Sequence, residues 1–224
     1  MGIQVAISQV ADGNMYVPTD QTDAAAIANR VAWLETQGHT MDDTTRVHIT
    51  YEREDFCQYR EVTDTDKGIG MRDGNIVPAD ALIITKPGHA LFLPIADCVA
   101  TAVYDPILNI AMLAHLGRHS LEQQGGEKII QHLVNTYGSN PTELELWLGP
   151  APSKESYPIF KLENMGMKEA LFTQLSNAGI SPEQITDNAA DTETDNRYFS
   201  HSAFLQGLKP EDGRFAMVMS LTGN

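Results

Sequence analysis

The sequence predicts an α+β fold: a single domain, residues 1–224, of mixed β-sheets flanked by helices. Three observations lead there. Short apolar runs follow one another through the centre, at 80–85, 90–95, 99–104 and 109–115, separated by the turn residues Lys86-Pro87-Gly88 and Asp105-Pro106. The few helical stretches do not alternate regularly with these runs, which argues against repeated βαβ units. No repeat, low-complexity tract or Pro/Gly/Ser linker divides the chain, and its 224 residues, 42% hydrophobic and 20% charged, suffice for one core.

Taken in order, residues 3–10 alternate loosely and open the chain as a strand. Thr19 or Asp20 is placed to cap a helix running to Gln37, with Ala26, Ile27, Val31 and Leu34 on its apolar face and Gly38 as its stop. Residues 44–51 alternate and carry β-branched side chains, the pattern of a strand. Residues 55–78 are polar and glycine-bearing and read as a long loop, a feature usually tied to function or motion. After the four central strands, Ser120 with Gln123 three residues on fits a capping box, opening a helix toward Tyr137 that Gly138 ends. Residues 143–148 read as a strand, 165–177 as a helix and 214–221 as the closing strand.

Composition limits the function. A formal net charge of −15 repels a phosphate backbone and sets nucleic acid aside as a partner; its plain consequence is solubility. The densest apolar stretch, 90–96, stops at Asp97, far short of the ~20 residues a membrane span needs. The N-terminus lacks a signal-peptide pattern, and Ala6 stands where a myristoylation signal needs Ser or Thr, so a cytoplasmic location is expected. In such a reducing compartment Cys57 and Cys98 are read as small hydrophobes, ligands or nucleophiles rather than as a disulfide.

Three residues stand out chemically: His48 in the 44–51 strand, Cys98 between two strands and His115 at the end of another. Imidazole nitrogen and thiolate sulfur are preferred zinc ligands, and three of them would leave a fourth position open for substrate. The plainer reading is two hydrogen-bonded histidines and a buried cysteine. Directly after His115, the run Gly117-Arg118-His119-Ser120 leads into the predicted helix. A helix N-terminus beside Arg118 and His119 would favour an anion, with Arg118 able to grip phosphate through two hydrogen bonds. Here the plainer reading is an ordinary cap and a surface arginine. Arg46, two residues before His48 and on the same strand face, is a second candidate for the anion. Asp97 adjoins Cys98 and could orient a ligand from behind. The remaining histidines, His39, His89, His132 and His201, read as surface or satisfied core residues, and 191–195 as an exposed acidic loop.

The central segment resembles a known family. Ala96-Asp97-Cys98, Tyr104-Asp105-Pro106 and Ala114-His115 with Gly117 look like the core signature of the laccase-domain proteins, also called multicopper polyphenol oxidases and now read as purine nucleoside phosphorylases. The interval from Cys98 to His115 matches that family's, and Ala79-Asp80-Ala81-Leu82 and Lys86-Pro87-Gly88 match the stretch leading to its cysteine. Gly13-Asn14, Asn29-Arg30, Val47-His48, Leu148-Gly149-Pro150 and Asp212-Gly213-Arg214 fit its other landmarks in order. The resemblance implies a zinc ion (Zn2+) held by His48, Cys98 and His115. It also implies phosphorolysis of adenosine, inosine or guanosine, and adenosine deamination; the anion site read above at Arg118, His119 and Ser120, with Arg46 as second candidate, would suit the phosphate. The chain departs from the pattern at Gly117-Arg118-His119-Ser120, where the family usually has Gly-Trp-Arg-Gly. It also has no cysteine in 149–157, and its late elements are reduced to Ala190-Asp191-Thr192 and Phe199-Ser200-His201. These are the marks of a divergent branch. Two alternatives stay open: a cysteine hydrolase using Cys98 with His115 or His48 as base, and a zinc-containing binding protein without turnover. A multicopper oxidase is disfavoured, because seven histidines with no His-x-His pair are too few for several copper ions.

Overall fold

Period-two alternation sets the architecture, because successive side chains of a strand point to opposite faces and the central strands here bury both. In the computed structural model, which describes residues 2–16, 23–72 and 76–223, eleven strands form two sheets among the described residues. The first sheet holds β1 (Gly2–Ile7), β2 (Thr44–His48), β4 (Val77–Pro78), β6 (Ala90–Ile95) and β11 (Phe215–Thr222), in the order β1-β11-β6-β2-β4. The second holds β3 (Tyr59–Glu61), β5 (Ala81–Ile84), β7 (Val99–Asp105), β8 (Ile110–Leu116), β9 (Glu145–Leu148) and β10 (Ile185–Asp187), in the order β10-β9-β7-β8-β5-β3. Both are mixed: β2 runs parallel to β6 while β11 runs antiparallel to it, and β10 runs parallel to β9 while β7 and β8 pair antiparallel.

The buried clusters show how the layers stack. Leu82, Ala102 and Leu113 of the second sheet meet Leu91, Leu93, Phe215 and Met217 of the first. The opposite residues, Ile83, Val103 and Met112, face α3 (Gly125–Tyr137) and α4 (Met167–Asn177) through Ile129, Leu133 and Leu171. On the outer face of the first sheet, Phe92 and Val218 pack on Trp33 and Leu34 of α1 (Ala24–Thr36). The order is helix, sheet, sheet, helices: one α+β domain, as the sequence predicts. No helix among the described residues is long and apolar enough to cross a membrane.

Several local expectations change. Thr19 and Asp20 lie outside the described residues; the cap of α1 is Asp23, whose carboxylate accepts from the N–H groups of Ala25 and Ala26 at 3.0 Å each. Arg30 of that helix is wholly buried, donating to the carbonyls of Met15 (2.8 Å), Gly70 (3.2 Å) and Met71 (2.7 Å), so a residue of a polar type serves as a core staple. The segment 55–78 contains β3 and β4 and is not a plain loop. The helix expected from Ser120 to Tyr137 is two helices, because Gln124 takes a left-handed conformation (φ 64°) between α2 (Arg118–Glu122) and α3. Ser120 is inside α2 and not its cap. The capping residue is Gly117, whose N–H is accepted by the Ser120 hydroxyl at 3.0 Å.

Candidate functional site

Three elements bring the chemistry together at the seam between the sheets. His48 is the last residue of β2. Cys98 lies in the turn by which the chain leaves β6 in the first sheet and enters β7 in the second. That turn needs Asp97 at φ 72°, a backbone region costly for a side chain. The Asp97 carboxylate holds it there, accepting from the Thr192 hydroxyl at 2.9 Å and the Ser202 N–H at 2.8 Å. His115 sits in β8, and its N–H donates to the Asp80 carbonyl at 2.8 Å. Gly117 is required by close approach: a Cβ there would stand 2.7 Å from Cys98 Sγ and 3.2 Å from His115 Nε2.

Burial governs the electrostatics. It lowers the pKa of His48 and of His115 to about 4 each, helped by Arg46 and Arg53 at the first and by Arg53 and His119 at the second. Both imidazoles are therefore neutral at neutral pH, with a lone pair to offer. Burial, and next the Asp97 charge, pushes the Cys98 thiol up to about 12, while the Arg118 backbone N–H faces its sulfur. His48 Nδ1 is buried without a hydrogen-bond partner, the kind of donor a metal would satisfy. Against this, no group of three His, Cys, Asp or Glu side chains among the described residues is drawn together as a finished ligand cluster. The donor set suits a metal; its closure around one is not built into this structure.

The cleft has two lobes, and Tyr51, Cys98, His115 and Tyr157 line both. The smaller, about 170 Å³, adds Phe56, Gly117, Arg118, His119 and Ser120. The larger, about 390 Å³, adds Tyr16, Arg46, His48, Asp97, His201 and Arg214. All eight residues singled out from the sequence border this cleft, though not in the roles foreseen for each. The His119 ring stacks on Phe56 (centroids 4.7 Å apart, 18° between planes) with the Tyr51 edge at 6.2 Å, so it belongs to an aromatic wall. The Ser120 hydroxyl is engaged with the Gly117 backbone. Arg118 is exposed, with Nη2 3.4 Å from His119 Nε2.

Sequence reading missed Tyr51, Phe56, Tyr157, Tyr16, His201 and Arg214. The residues after β2 lie against the cleft because the Asp80 carboxylate binds Arg53 (2.6 Å) and the Gln58 N–H (2.9 Å), and Gln123 binds the backbone of Phe56 and Glu54. Two aromatics five residues apart in a polar stretch were the available signal. The 191–195 run is not simply exposed, since Thr192 is fully buried against Asp97. His39 and His89 are satisfied by Ser220 and Thr45, as expected. His201 instead borders the larger lobe, bonded to Asp212.

A family model described as multi-copper polyphenol oxidoreductase laccase matches residues 5–162. The chain belongs to that family. Among family relatives, the chain is similar to the purine nucleoside phosphorylase YlmD of Bacillus subtilis (strain 168), 24% identical over 73% of this chain and 66% of that protein. It is also similar to the purine nucleoside phosphorylase ORF3 of Streptomyces griseus, 28% identical over 45% of this chain and 40% of that protein. The matched region thus spans just under two thirds of the first relative and less of the second. In fold it is similar to the hypothetical protein YfiH of Bacillus licheniformis (TM-score 0.86, 19% identity, 98% of this chain and 93% of that one). YlmD from Geobacillus stearothermophilus is similar too (TM-score 0.81, 19% identity, 94% and 85%). The family's name associates it with a metal, which the donor chemistry of the cleft suits.

Proposed function

We propose that this chain is a zinc-dependent enzyme of purine nucleosides that transfers the ribosyl group from base to phosphate. The observation that carries the reading is the convergence of His48, Cys98 and His115 on one cleft that also bears Arg118. Relatives named purine nucleoside phosphorylases supply the substrate class. In the reaction, a phosphate oxygen bonds to the anomeric carbon of ribose as the bond from that carbon to the purine nitrogen breaks. The bonding pair stays with the base, which takes a proton, and ribose 1-phosphate is released. His48, Cys98 and His115 would hold the zinc ion, which supplies Lewis-acid chemistry at the cleft.

The chain's own residues divide the remaining work. The Arg118 fork matches two phosphate oxygens. The wall of Tyr51, Phe56 and His119 offers a stacking face to the base. Asp97 and Gly117 help to position Cys98 and His115. The same cleft suits adenosine deamination, in which water adds at the purine carbon and ammonia leaves. A cysteine hydrolase would use the same three residues, and the metal content measured below separates the two readings.

The test is elemental analysis of the purified protein and of His48→Ala, with ribose 1-phosphate followed on a panel of nucleosides plus phosphate. About one zinc per chain, lost in the variant together with turnover, is the expected result. Metal-free wild-type protein, or a variant that keeps its zinc, would sink the proposal.

A further inference from the structure

In the proposed ribosyl transfer the departing purine takes up a proton, and the three ligand candidates are not placed to give it. His48 and His115 are neutral and offer lone pairs, and Cys98 would be occupied through its sulfur. Of the other groups around the larger lobe, the Asp97 carboxylate is engaged by Thr192 and Ser202. Burial pushes the Tyr51 phenol up to about 12 and raises the Tyr157 phenol too, which makes both poor proton donors. Among the described residues, the larger lobe has one imidazole outside the ligand set, that of His201.

The His201 ring is held in a defined geometry. His201 opens α5 (His201–Leu205), and the next residue, Ser202, donates its N–H to the Asp97 carboxylate at 2.8 Å. Asp97 adjoins Cys98, so the hydrogen bond that steadies the cysteine turn also sets the start of α5 beside it. His201 Nδ1 lies 2.9 Å from Asp212 Oδ1, an atom that Arg214 Nη1 reaches at 2.6 Å. Burial pushes the Asp212 carboxyl up, but the hydrogen bonds from Arg214 and His201 outweigh it and hold the group below the usual carboxylate range. A carboxylate only accepts, so Nδ1 keeps its hydrogen and donates, which fixes the tautomer and the orientation of the ring. The atom left for exchange is Nε2, which has no hydrogen-bond partner among the described residues. The charged groups that face this residue are Asp212 and Arg214, just before β11, and Glu193, which accepts from the Ser202 hydroxyl at 2.6 Å.

We infer that His201 is the catalytic acid of the cleft and protonates the departing purine. The inference rests on the proposed function for the reaction. As a phosphate oxygen bonds to the anomeric carbon, the bond from that carbon to the purine nitrogen breaks and its electron pair passes to the base. The His201 imidazolium gives its Nε2 proton to the five-membered ring of that base and becomes the neutral Nδ1–H tautomer. The attacking hydrogen phosphate loses its one proton on becoming the ester, and that proton restores Nε2, so the cycle balances. Asp212 is a positioning residue that acts through Nδ1.

The experiment compares phosphorolysis of guanosine and of 7-methylguanosine by the wild-type protein and His201→Gln. It is joined to 15N spectra of the histidine rings during titration with guanosine in the absence of phosphate. The methylated base already carries a positive charge and departs without taking a proton. His201→Gln is expected to lower kcat on guanosine by roughly 10²–10⁴-fold and on 7-methylguanosine by less than about threefold, a split that a merely structural role would not produce. Equal losses on the two substrates, or no loss on guanosine, would overturn the inference and leave the proposed function standing. The His201 side chain is 44% exposed, so the variant should fold; should it not, His201→Asn takes its place. If the wild-type protein converts no nucleoside, the proposed function falls and the spectra decide the role of His201. Movement of its Nε2 resonance on binding guanosine would support the contact with the base, and a fixed resonance would overturn it.

Discussion

The two walls of the cleft are held by different means. Cys98, His115 and Gly117 stand at strand ends in the middle of buried sheets, where β7 and β8 pair along seven residues each. Tyr51, Arg53 and Phe56 ride on irregular chain after β2, tied down by the Asp80 carboxylate and the Gln123 amide. The first wall inherits its precision from the sheet ladders. The second depends on a few polar contacts, two of them charge-assisted, and Tyr51 at its edge is 63% exposed. The contrast suits the proposed function, in which the metal ligands would be fixed while the wall facing the substrate adapts.

Three substitutions bear on that contrast, in falling order of expected effect. Asp80 is 2% exposed and joins the walls, binding Arg53 and Gln58 through its side chain and His115 through its carbonyl. Burial, with a smaller push from the Asp55 charge, raises its pKa, and the Gln58 and Arg53 contacts counter that. Asp80→Ala leaves a largely buried guanidinium unpaired, which costs roughly 3–5 kcal/mol by denaturant unfolding. A loss below about 1 kcal/mol would mean that the second wall does not depend on this contact. Gly117→Ala attacks the first wall alone. Its Cβ would press on Cys98 Sγ and on the His115 ring, both anchored in the sheets, so about 1–3 kcal/mol of stability and the metal content are expected to fall together. Full stability with full metal content would show that this wall has slack.

The third concerns pH, at a histidine outside the cleft. The Thr45 hydroxyl gives its one proton to the Asp66 carbonyl (2.7 Å), so His89 Nε2 must donate the bond it shares with Thr45 (2.7 Å). Burial lowers the His89 pKa, with Lys67 adding to it and Asp64, Asp66 and Asp43 opposing. A base whose folded pKa lies below its unfolded value contributes stability that is whole above about pH 6.5 and is lost as pH falls toward the folded value. His89→Gln should flatten part of the stability-versus-pH curve below about 6.5 and leave the metal content unchanged. An unaltered slope in thermal melts between pH 5 and 7 would exclude His89 as a contributor. The neutral His48 and His115 act in the same direction, so some slope should survive the substitution.

The sequence alone carries the central strands and their order, because period-two burial is written locally: 90–95 appears as β6 without change, and 80–85, 99–104 and 109–115 match β5, β7 and β8 to within one residue at either end. It also supplied His48, Cys98 and His115 as the ligand candidates, through residue type and through a resemblance borne out by the family match. Where it erred, longer-range forces decided. Ser120 looks like a cap on local chemistry, but packing against the sheet bends the chain at Gln124 and makes Gly117 the cap. The 55–78 stretch looks like a loop because β3 and β4 are too short to show a period, and they exist through pairing with β5 and β2. Arg30 and Arg46 are alike in sequence, two basic residues in apolar surroundings. Only the tertiary structure makes the first a staple on three backbone carbonyls and turns the second toward the cleft. The physical reason is common to all these cases: a side chain's burial and partners depend on segments far away in sequence, and no local pattern carries them.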